Sequence, residues 1–187
     1  MSEYTSPRKI APFLWVDCEF TGLDEDTDLL LEIAVATTDP DFTIVEHRVF
    51  NPSHAADTIR AKIDQNLWWS DRQGLADTII RDIQERGVPM QKISQDLAKF
   101  VLERFMPPVV IAGNSLGKDR AFIQRDLPEL DVLLHYRSLD VSSLKELAKF
   151  TCGVEYGKSE RHRALDDVEE SIAELRFLRA AMCASRL

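Results

Sequence analysis

Residues 13–19 read FLWVDCE, a short apolar run that ends in two acidic side chains. The run is rich in β-forming residues and is followed by the turn signal Thr21-Gly22, so it predicts a β-strand. Alternate side chains of a strand share one face, which places Asp17 and Glu19 together and Cys18 in the opposite layer. The sequence therefore predicts a buried strand that presents a pair of carboxylates.

Further strands and helices follow this run. Residues 29–38 and 42–50 read as strands, and the short Asp-Pro-Asp link at 39–41 predicts an antiparallel hairpin. The continuous apolar run at 109–112 is typical of a buried strand, and another short strand is predicted at 136–141. The order of elements predicts an α/β fold in which helices cover a mixed sheet. Helices are predicted at 70–85, at 91–105, from about 118, at 142–149 and at 164–183.

The composition limits the function classes. The chain has 187 residues, 44% of them apolar and 29% charged, and a net charge of −9. These values suit one compact domain, residues 1–187, and exclude wholesale disorder. Proteins that grip long nucleic acid through its phosphates carry a basic surface, so any nucleic-acid role of this chain must be short-range or metal-assisted.

Cysteine usage and the absence of long apolar runs bear on location. Cys18, Cys152 and Cys183 include no CxxC pair, which predicts reduced intracellular thiols. No apolar run approaches the ~20 residues that a membrane helix requires. Residues 1–11 predict a flexible amino-terminal tail without a secretory signal. We therefore expect a cytoplasmic protein with no membrane partner.

Asp17 and Glu19 lie a pleat apart in a run suited to burial, so they repel each other and are costly to desolvate. A divalent cation would relieve both effects because hard cations take carboxylate oxygens; a strand end whose acids meet solvent is the alternative. Asp119 follows the strand at 109–112, in the zone where open α/β sheets gather ligand groups. A first-turn acid that stabilises the helix dipole is the plainer role for Asp119.

The last predicted helix carries Asp166 and Asp167, and His162 precedes it. At roughly 100° per residue, Asp167 lies at the edge of the apolar stripe, where it can reach the protein body, whereas Asp166 lies on the wet face. Beside carboxylates, His162 suits a base that titrates near neutrality; a surface-loop histidine is the alternative. Together with the strand acids, such a set can hold two divalent ions ~4 Å apart that activate water and stabilise a leaving oxyanion.

The acids and the histidine also occur in the order of a known family. Asp17, Glu19, Asp119, His162 and Asp167 resemble the motif of the DEDDh 3′→5′ exonucleases, and longer segments narrow the resemblance to the oligoribonuclease family. The segments are WVDCEFTGLD (15–24), GNSLGKDRAF (113–122), HYRSLDVSSLKELA (135–148) and HRALDDVEESIAEL (162–175). The third segment discriminates most, because generic DEDDh proofreading exonucleases do not share it.

The resemblance implies a ribonuclease H-like fold with a mixed five-stranded sheet, in which the first three strands are antiparallel and the later ones parallel. It implies hydrolysis of very short RNA, especially dinucleotides, from the 3′ end to 5′-mononucleotides by two-metal-ion catalysis with Mg²⁺ or Mn²⁺. A DEDDh exonuclease acting on the 3′ ends of single-stranded DNA is the alternative. Relatives serve both the cytoplasm and mitochondria, so a mitochondrial location stays open.

The same resemblance implies a role for each residue of the motif. Asp17 would bridge both metals, and Glu19 and Asp167 would complete the site of the first. Asp119 would serve the second metal, mainly through water. His162 would act as the general base that deprotonates the attacking water.

Substrate contacts are likewise implied by the resemblance. Leu23 would wedge against the terminal bases, and Tyr136 and Arg137 would act across the interface of a homodimer, from the partner subunit. Plainer roles stay open from the sequence itself: a turn hydrophobe for Leu23, strand-edge residues at 136 and 137, and a helix N-cap for Ser142. The cap around the 5′ phosphate would comprise Ser115, Ser142 and Ser143.

One stretch departs from the family pattern. The family shows a Trp, then a His, then Ser-Gly-Leu before the central helices, whereas residues 67–75 read LWWSDRQGL, with no histidine and with Gln73 before the glycine. Either Trp68 or Trp69 can supply the base contact, with Trp68 as our choice, and both can equally be core anchors.

Overall fold

The computed structural model describes residues 10–157 and 162–184, and within them five strands form one sheet in the order β3-β2-β1-β4-β5. Strand β1 is central; it pairs antiparallel with β2 and parallel with β4. Strand β3 is antiparallel to β2, and β5 is parallel to β4. The predicted mixed sheet is confirmed. Its strands are β1 (Phe13–Phe20), β2 (Leu30–Thr38), β3 (Ile44–Phe50), β4 (Val109–Gly113) and β5 (Leu134–Asp140).

Helices cover both faces of this sheet. The helices are α1 (Ala56–Ile63), α2 (Gln73–Arg86), α3 (Met90–Leu102), α4 (Gly117–Asp126), α5 (Pro128–Asp131), α6 (Val141–Cys152) and α7 (Ala164–Ala184), with a 3-10 turn at Leu67–Trp69. No helix in the described ranges has the length and apolar character needed to cross a membrane.

The alternation of β1 side chains separates two apolar layers. Leu14, Val16 and Cys18 belong to a buried cluster with α3 and α4, as the sequence predicts for Cys18. Trp15 belongs to a second cluster, with α6 and α7. Helix α7 contributes Ala164 and four larger aliphatic side chains to that cluster, and each of the four is worth about 1.5–3 kcal/mol on full burial. Packing of α7 on the sheet therefore fixes where its first turn lies.

Several boundaries differ from the prediction. Helix α1 was missed because it buries only Ile59 and Ile63, too few apolar positions for a periodic signal. The helix predicted from Ser70 begins at Gln73, because the preceding residues form the 3-10 turn. Strand β3 begins two residues after its predicted start, because Asp39 Oδ1 accepts hydrogen bonds from loop N–H groups at 2.9 and 3.0 Å. The short helix α5 was also missed.

The predicted flexible tail, residues 1–11, falls mostly on residues 1–9, which lie outside the described residues. The prediction of a flexible tail is wrong for its last residue, Ala11. Ala11 is buried, and its N–H donates to the carbonyl of Thr38 at 2.7 Å, so the ordered chain begins before β1.

Candidate active site

Three carboxylates meet where the carboxyl end of β1 faces the start of α7. Asp17 and Glu19, two residues apart on β1, and Asp167 in the first turn of α7 offer oxygens that all lie within 4.8 Å of one another. We call these residues the three-acid cluster. The N–H of Asp167 donates to the carbonyl of Arg163 at 2.9 Å, which places it in the first turn of the helix. The sequence argument that favoured Asp167 over Asp166 agrees with this geometry.

The electrostatics of the cluster fit a divalent cation. Glu19 is 9% exposed, and its pKa is raised to about 8 by burial and by the negative charges of Asp167, Glu32 and Asp119. Full ionisation of adjacent carboxylates in this setting is unfavourable without a positive charge. Because hard divalent cations select oxygen ligands and favour the ionised form, the donor set and its charge suit such an ion.

Asp119 lies apart from the three-acid cluster, in the first turn of α4. Its carboxyl is buried, and burial raises its pKa to about 7, although hydrogen bonds from its own backbone and from the thiol and backbone of Cys18 oppose the shift. The Cys18 thiol has a raised pKa, first because of burial and then because Asp119 and Asp17 lie near it. The Asp119 carboxyl therefore meets β1 at Cys18, the residue between Asp17 and Glu19.

His162 precedes α7 with a left-handed backbone, φ 51°. Its Nε2 atom is buried and makes no hydrogen bond within the described part of the chain. The imidazole meets the Trp68 ring edge-on, with centroids 5.1 Å apart. This leaves Nε2 able to bond a water or substrate group.

A cavity of about 430 Å³ connects most of these groups. This volume lies within the range typical of small-ligand sites, roughly 300–1,000 Å³. Among the described residues, His162 does not line the cavity itself but contacts Trp68, which does. The predicted site residues that line it are Asp17, Glu19, Leu23, Trp68, Ser115 and Asp119.

The two tryptophans have different environments. Trp69 is 1% exposed, and its indole N–H donates to the carbonyl of Thr21 at 3.1 Å, so it anchors the core. Trp68 is 39% exposed and faces the cavity, with the Arg72 guanidinium 4.4 Å from its ring centroid. Trp68 is thus the tryptophan available to a ligand, as the sequence analysis chose, and Leu23 is also exposed at the cavity.

Asp140 at the end of β5 organises two of the predicted phosphate-cap serines. Its carboxylate accepts from the backbone N–H groups of Ser115 at 3.1 Å, Leu116 at 3.2 Å and Ser142 at 3.0 Å. The hydroxyl of Ser115 donates to that of Ser142 at 3.3 Å. Burial alone would raise the pKa of Asp140, but the hydrogen bonds that its carboxylate accepts from the Ser142 hydroxyl and from the backbone N–H groups of Ser115, Ser142 and Leu116 lower it overall.

Asp140, rather than Ser142, is therefore the N-cap of α6, which corrects the plainer role considered for that serine. Sequence analysis missed Asp140, although an Asp immediately before a predicted helix is an N-cap signal that identifies it. Ser143 is exposed in the first turn of the same helix.

Tyr136 and Arg137 lie outside the cavity that contains the acids. They are exposed on β5, which is an edge strand of the sheet. The Tyr136 ring stacks on His135 with centroids 4.4 Å apart, and the Arg137 guanidinium lies 5.2 Å from the Tyr136 centroid. Within one chain the structure does not bring this pair to the three-acid cluster.

Sequence analysis also missed two acceptors beneath the site. Glu32 is a lone acid in the apolar strand β2 and is paired in register with Glu19. Glu174 on α7 is fully buried and accepts from the Asn114 amide at 3.1 Å. For Glu32, a single charged residue within an apolar run was the available signal, because such a residue requires a partner when buried.

Comparison with known proteins adds sequence relatives to this geometry. An exonuclease family model, RNase T, matches residues 14–175. The oligoribonuclease of Pseudomonas syringae pv. syringae is 39% identical over 171 residues, which cover 89% of this chain and 93% of that protein. The oligoribonuclease of Mycobacterium tuberculosis H37Ra is 40% identical over 173 residues, covering 89% and 79%.

Solved structures show the same fold at lower identity. Exonuclease I from Methylocaldum szegediense superposes with a TM-score of 0.65 at 17% identity and covers 92% of this chain. E. coli exonuclease I in complex with a dT13 oligonucleotide gives a TM-score of 0.62 at 18% identity. The chain spans less than half the length of these exonuclease I chains, 41% and 42% respectively.

Proposed function

This chain belongs to the oligoribonuclease family of exonucleases, and from that premise we propose that it degrades very short RNA, dinucleotides above all, from the 3′ end to 5′-mononucleotides. Membership makes it a hydrolytic nuclease, with the metal dependence typical of the family. The observation that carries the proposal is the three-acid cluster at a cavity of about 430 Å³. Such a volume suits a ligand of one or two nucleotides better than an extended strand.

The metal ligands follow from the chemistry of the donor set. Asp17, Glu19 and Asp167 would hold one divalent cation, and Asp119, with Asp17 shared, would serve a second. When bound, Mg²⁺ or Mn²⁺ ions supply charge stabilisation to the scissile phosphate and favour ionisation of the attacking water. The side chains contribute negative charge at fixed positions, and burial limits how much the solvent screens that charge.

His162 is proposed as the general base. Its Nε2 atom has no hydrogen-bond partner in the described chain, so it is available to accept the proton of the attacking water. The edge contact with Trp68 limits how the imidazole can rotate. This contact with Trp68, which lines the cavity, supports His162 as the proton acceptor.

Substrate length is proposed to be limited at both ends of the cavity. Leu23 and Trp68 offer exposed apolar surface for the bases. The hydroxyl of Ser115 donates to that of Ser142, which donates to Asp140; both would turn to a bound 5′ phosphate, with Ser143 beside them. A longer chain would have to pass through this cap, and a net charge of −9 does not favour extended contacts with its phosphates.

A homodimer would complete the cap. Tyr136 and Arg137 are exposed on an edge strand and do not reach the acids of their own chain. We propose that they stack on a base and meet the 5′ phosphate in the site of a partner subunit.

A cytoplasmic location is proposed on the basis of the reduced cysteines.

Chain-length dependence tests the function. Turnover of 5′-phosphorylated RNAs, from dinucleotide to decanucleotide, is measured with Mn²⁺ and again with a chelator. We expect the dinucleotide to be hydrolysed fastest and the chelator to abolish turnover; equal or faster hydrolysis of the decanucleotide contradicts the proposal.

The alternative, an exonuclease for single-stranded DNA 3′ ends, is supported by the fold shared with exonuclease I bound to dT13. Faster hydrolysis of matched DNA would favour it.

A further inference from the structure

The buried carboxylate of Glu32 accepts hydrogen bonds from Arg163, the residue that follows His162. Glu32 on β2 is 1% exposed, and its oxygens accept from Arg163 Nε at 3.1 and 3.2 Å and from Arg163 Nη2 at 2.5 Å. This two-pronged arrangement uses the planar fork of the guanidinium, which holds orientation as well as position. Arg163 is thereby fixed to the central part of the sheet.

The same carboxylate reaches the first residue of α7. Glu32 Oε1 accepts from the backbone N–H of Ala164 at 2.9 Å, and Oε2 accepts from the Asn51 amide at 3.1 Å. Arg163 Nη2 also donates to Asp82 on α2 at 3.0 Å. Strand β2, helix α2 and the start of α7 are therefore joined at one point, which we call the Glu32–Arg163 clamp.

The clamp lies between the two parts of the site that α7 supplies. His162 directly precedes Arg163 and has a left-handed backbone conformation, φ 51°, which is uncommon for residues with a β-carbon although histidine adopts it more often than most. On the other side, the Arg163 carbonyl accepts from the N–H of Asp167 at 2.9 Å. Movement of Arg163 would therefore displace both the imidazole and the carboxylate.

We propose that Arg163, held by Glu32, is a positioning residue that fixes the backbone of His162 and the first turn of α7 for catalysis. The inference rests on the proposed function of His162 as the base. Arg163 does not touch the substrate; it acts through His162 and Asp167, whose positions it sets. Its loss should lower kcat, because misplacement of reacting groups by about 1 Å costs on the order of 10²-fold in rate.

The chain offers a matched control in Arg86. Arg86 Nη2 donates to the same Asp82 carboxylate at 2.6 Å, but its bonds to Asp82 do not involve Glu32, and its side chain is 66% exposed. Arg86→Ala therefore removes one arginine from the same acid without opening the clamp. We expect it to retain the kcat and KM of the wild-type protein.

Kinetics separate positioning from general support. In Arg163→Ala, kcat on a 5′-phosphorylated dinucleotide should fall by about 10²-fold while KM changes little, and added guanidinium should restore part of kcat. Arg163→Lys, which retains the charge but not the fork, should be intermediate; it and Glu32→Gln carry the test if the alanine variant does not fold. A kcat equal to that of Arg86→Ala, a loss confined to KM, or no restoration by guanidinium would overturn the proposal.

Histidine NMR supplies a readout without substrate or metal. The chain has four histidines, at positions 47, 54, 135 and 162. Arg163→Ala should shift the ring resonances of His162 and leave the other three in place; four unchanged histidines would overturn the proposal. A wild-type protein that hydrolyses no short RNA would refute the proposed function instead, and the His162 shift would still report whether Arg163 positions it.

Discussion

Replacing Glu19 with glutamine should change how the stability of the metal-free protein depends on pH. The pKa of Glu19 is raised to about 8 from an ordinary value of 4.5, because burial and three neighbouring carboxylates disfavour its ionised form. Between these two values the folded protein binds more protons than the unfolded chain. The free energy of unfolding therefore falls as pH rises from about 4.5 to about 8.

The size of the effect follows from the same two values. Integrating the linkage relation for a single group with these pKa values gives a loss of about 3–4 kcal/mol between about pH 5 and pH 8. Asp119, whose pKa is raised to about 7 by burial, contributes in the same direction. Glu19→Gln removes the ionisable group, so its stability should fall less steeply over this range.

The assay is urea unfolding of chelator-treated protein at several pH values. Glu85→Gln, which removes an exposed carboxylate on α2, is the control and should follow the wild-type curve. The difference between wild type and Glu19→Gln should widen as the pH rises, in favour of the variant. Parallel curves for the two proteins would refute the reasoning.

Added Mn²⁺ should stabilise the wild type more at pH 8 than at pH 5, because ligand oxygens must be deprotonated to bind.

Four other substitutions test separate parts of the site. Asp119→Asn should nearly abolish turnover while circular dichroism shows a folded protein; activity like that of the wild type would exclude a metal role for Asp119. Trp68→Ala should raise KM for a dinucleotide with little loss of stability, whereas Trp69→Ala should cost about 3–5 kcal/mol in urea unfolding because Trp69 is 1% exposed; equal stability losses would contradict this division. Asp140→Ala should cost about 0.5–2 kcal/mol through loss of the α6 N-cap and should raise KM more for 5′-phosphorylated than for unphosphorylated dinucleotides; an equal rise for both substrates would separate Asp140 from phosphate binding.

Local pattern was sufficient for the features that depend on one element. The alternation of β1 correctly divides Cys18 from Asp17 and Glu19, because a strand has a period of two whatever packs against it. Helical geometry likewise selects Asp167 over Asp166, since the apolar stripe of α7 defines which face meets the sheet. These inferences needed only the period of the element and the position of its apolar residues.

Features that depend on distant residues were not accessible in this way. Trp68 and Trp69 are neighbours with the same local pattern, but only Trp69 packs in a buried cluster with side chains of β2, α1 and α2 and donates to the carbonyl of Thr21, far along the chain. The bonds between Glu32 and Arg163 join β2 to the start of α7, elements that only the completed sheet brings together. Sequence periodicity carries no information about such pairings.

The clamp also explains how the three-acid cluster can be held in position by an arginine that does not bond to it. The Arg163 guanidinium bonds Glu32 and Asp82, neither of which belongs to the three-acid cluster. Its charge stabilises buried carboxylates that anchor α7, while the pKa of Glu19, directly opposite Glu32 in the sheet, stays raised to about 8. An arginine that reached the cluster itself would lower that pKa and compete with a divalent cation for the same oxygens. Separating the structural cation from the acids of the site therefore lets the fold fix their positions while leaving their charge to attract metal.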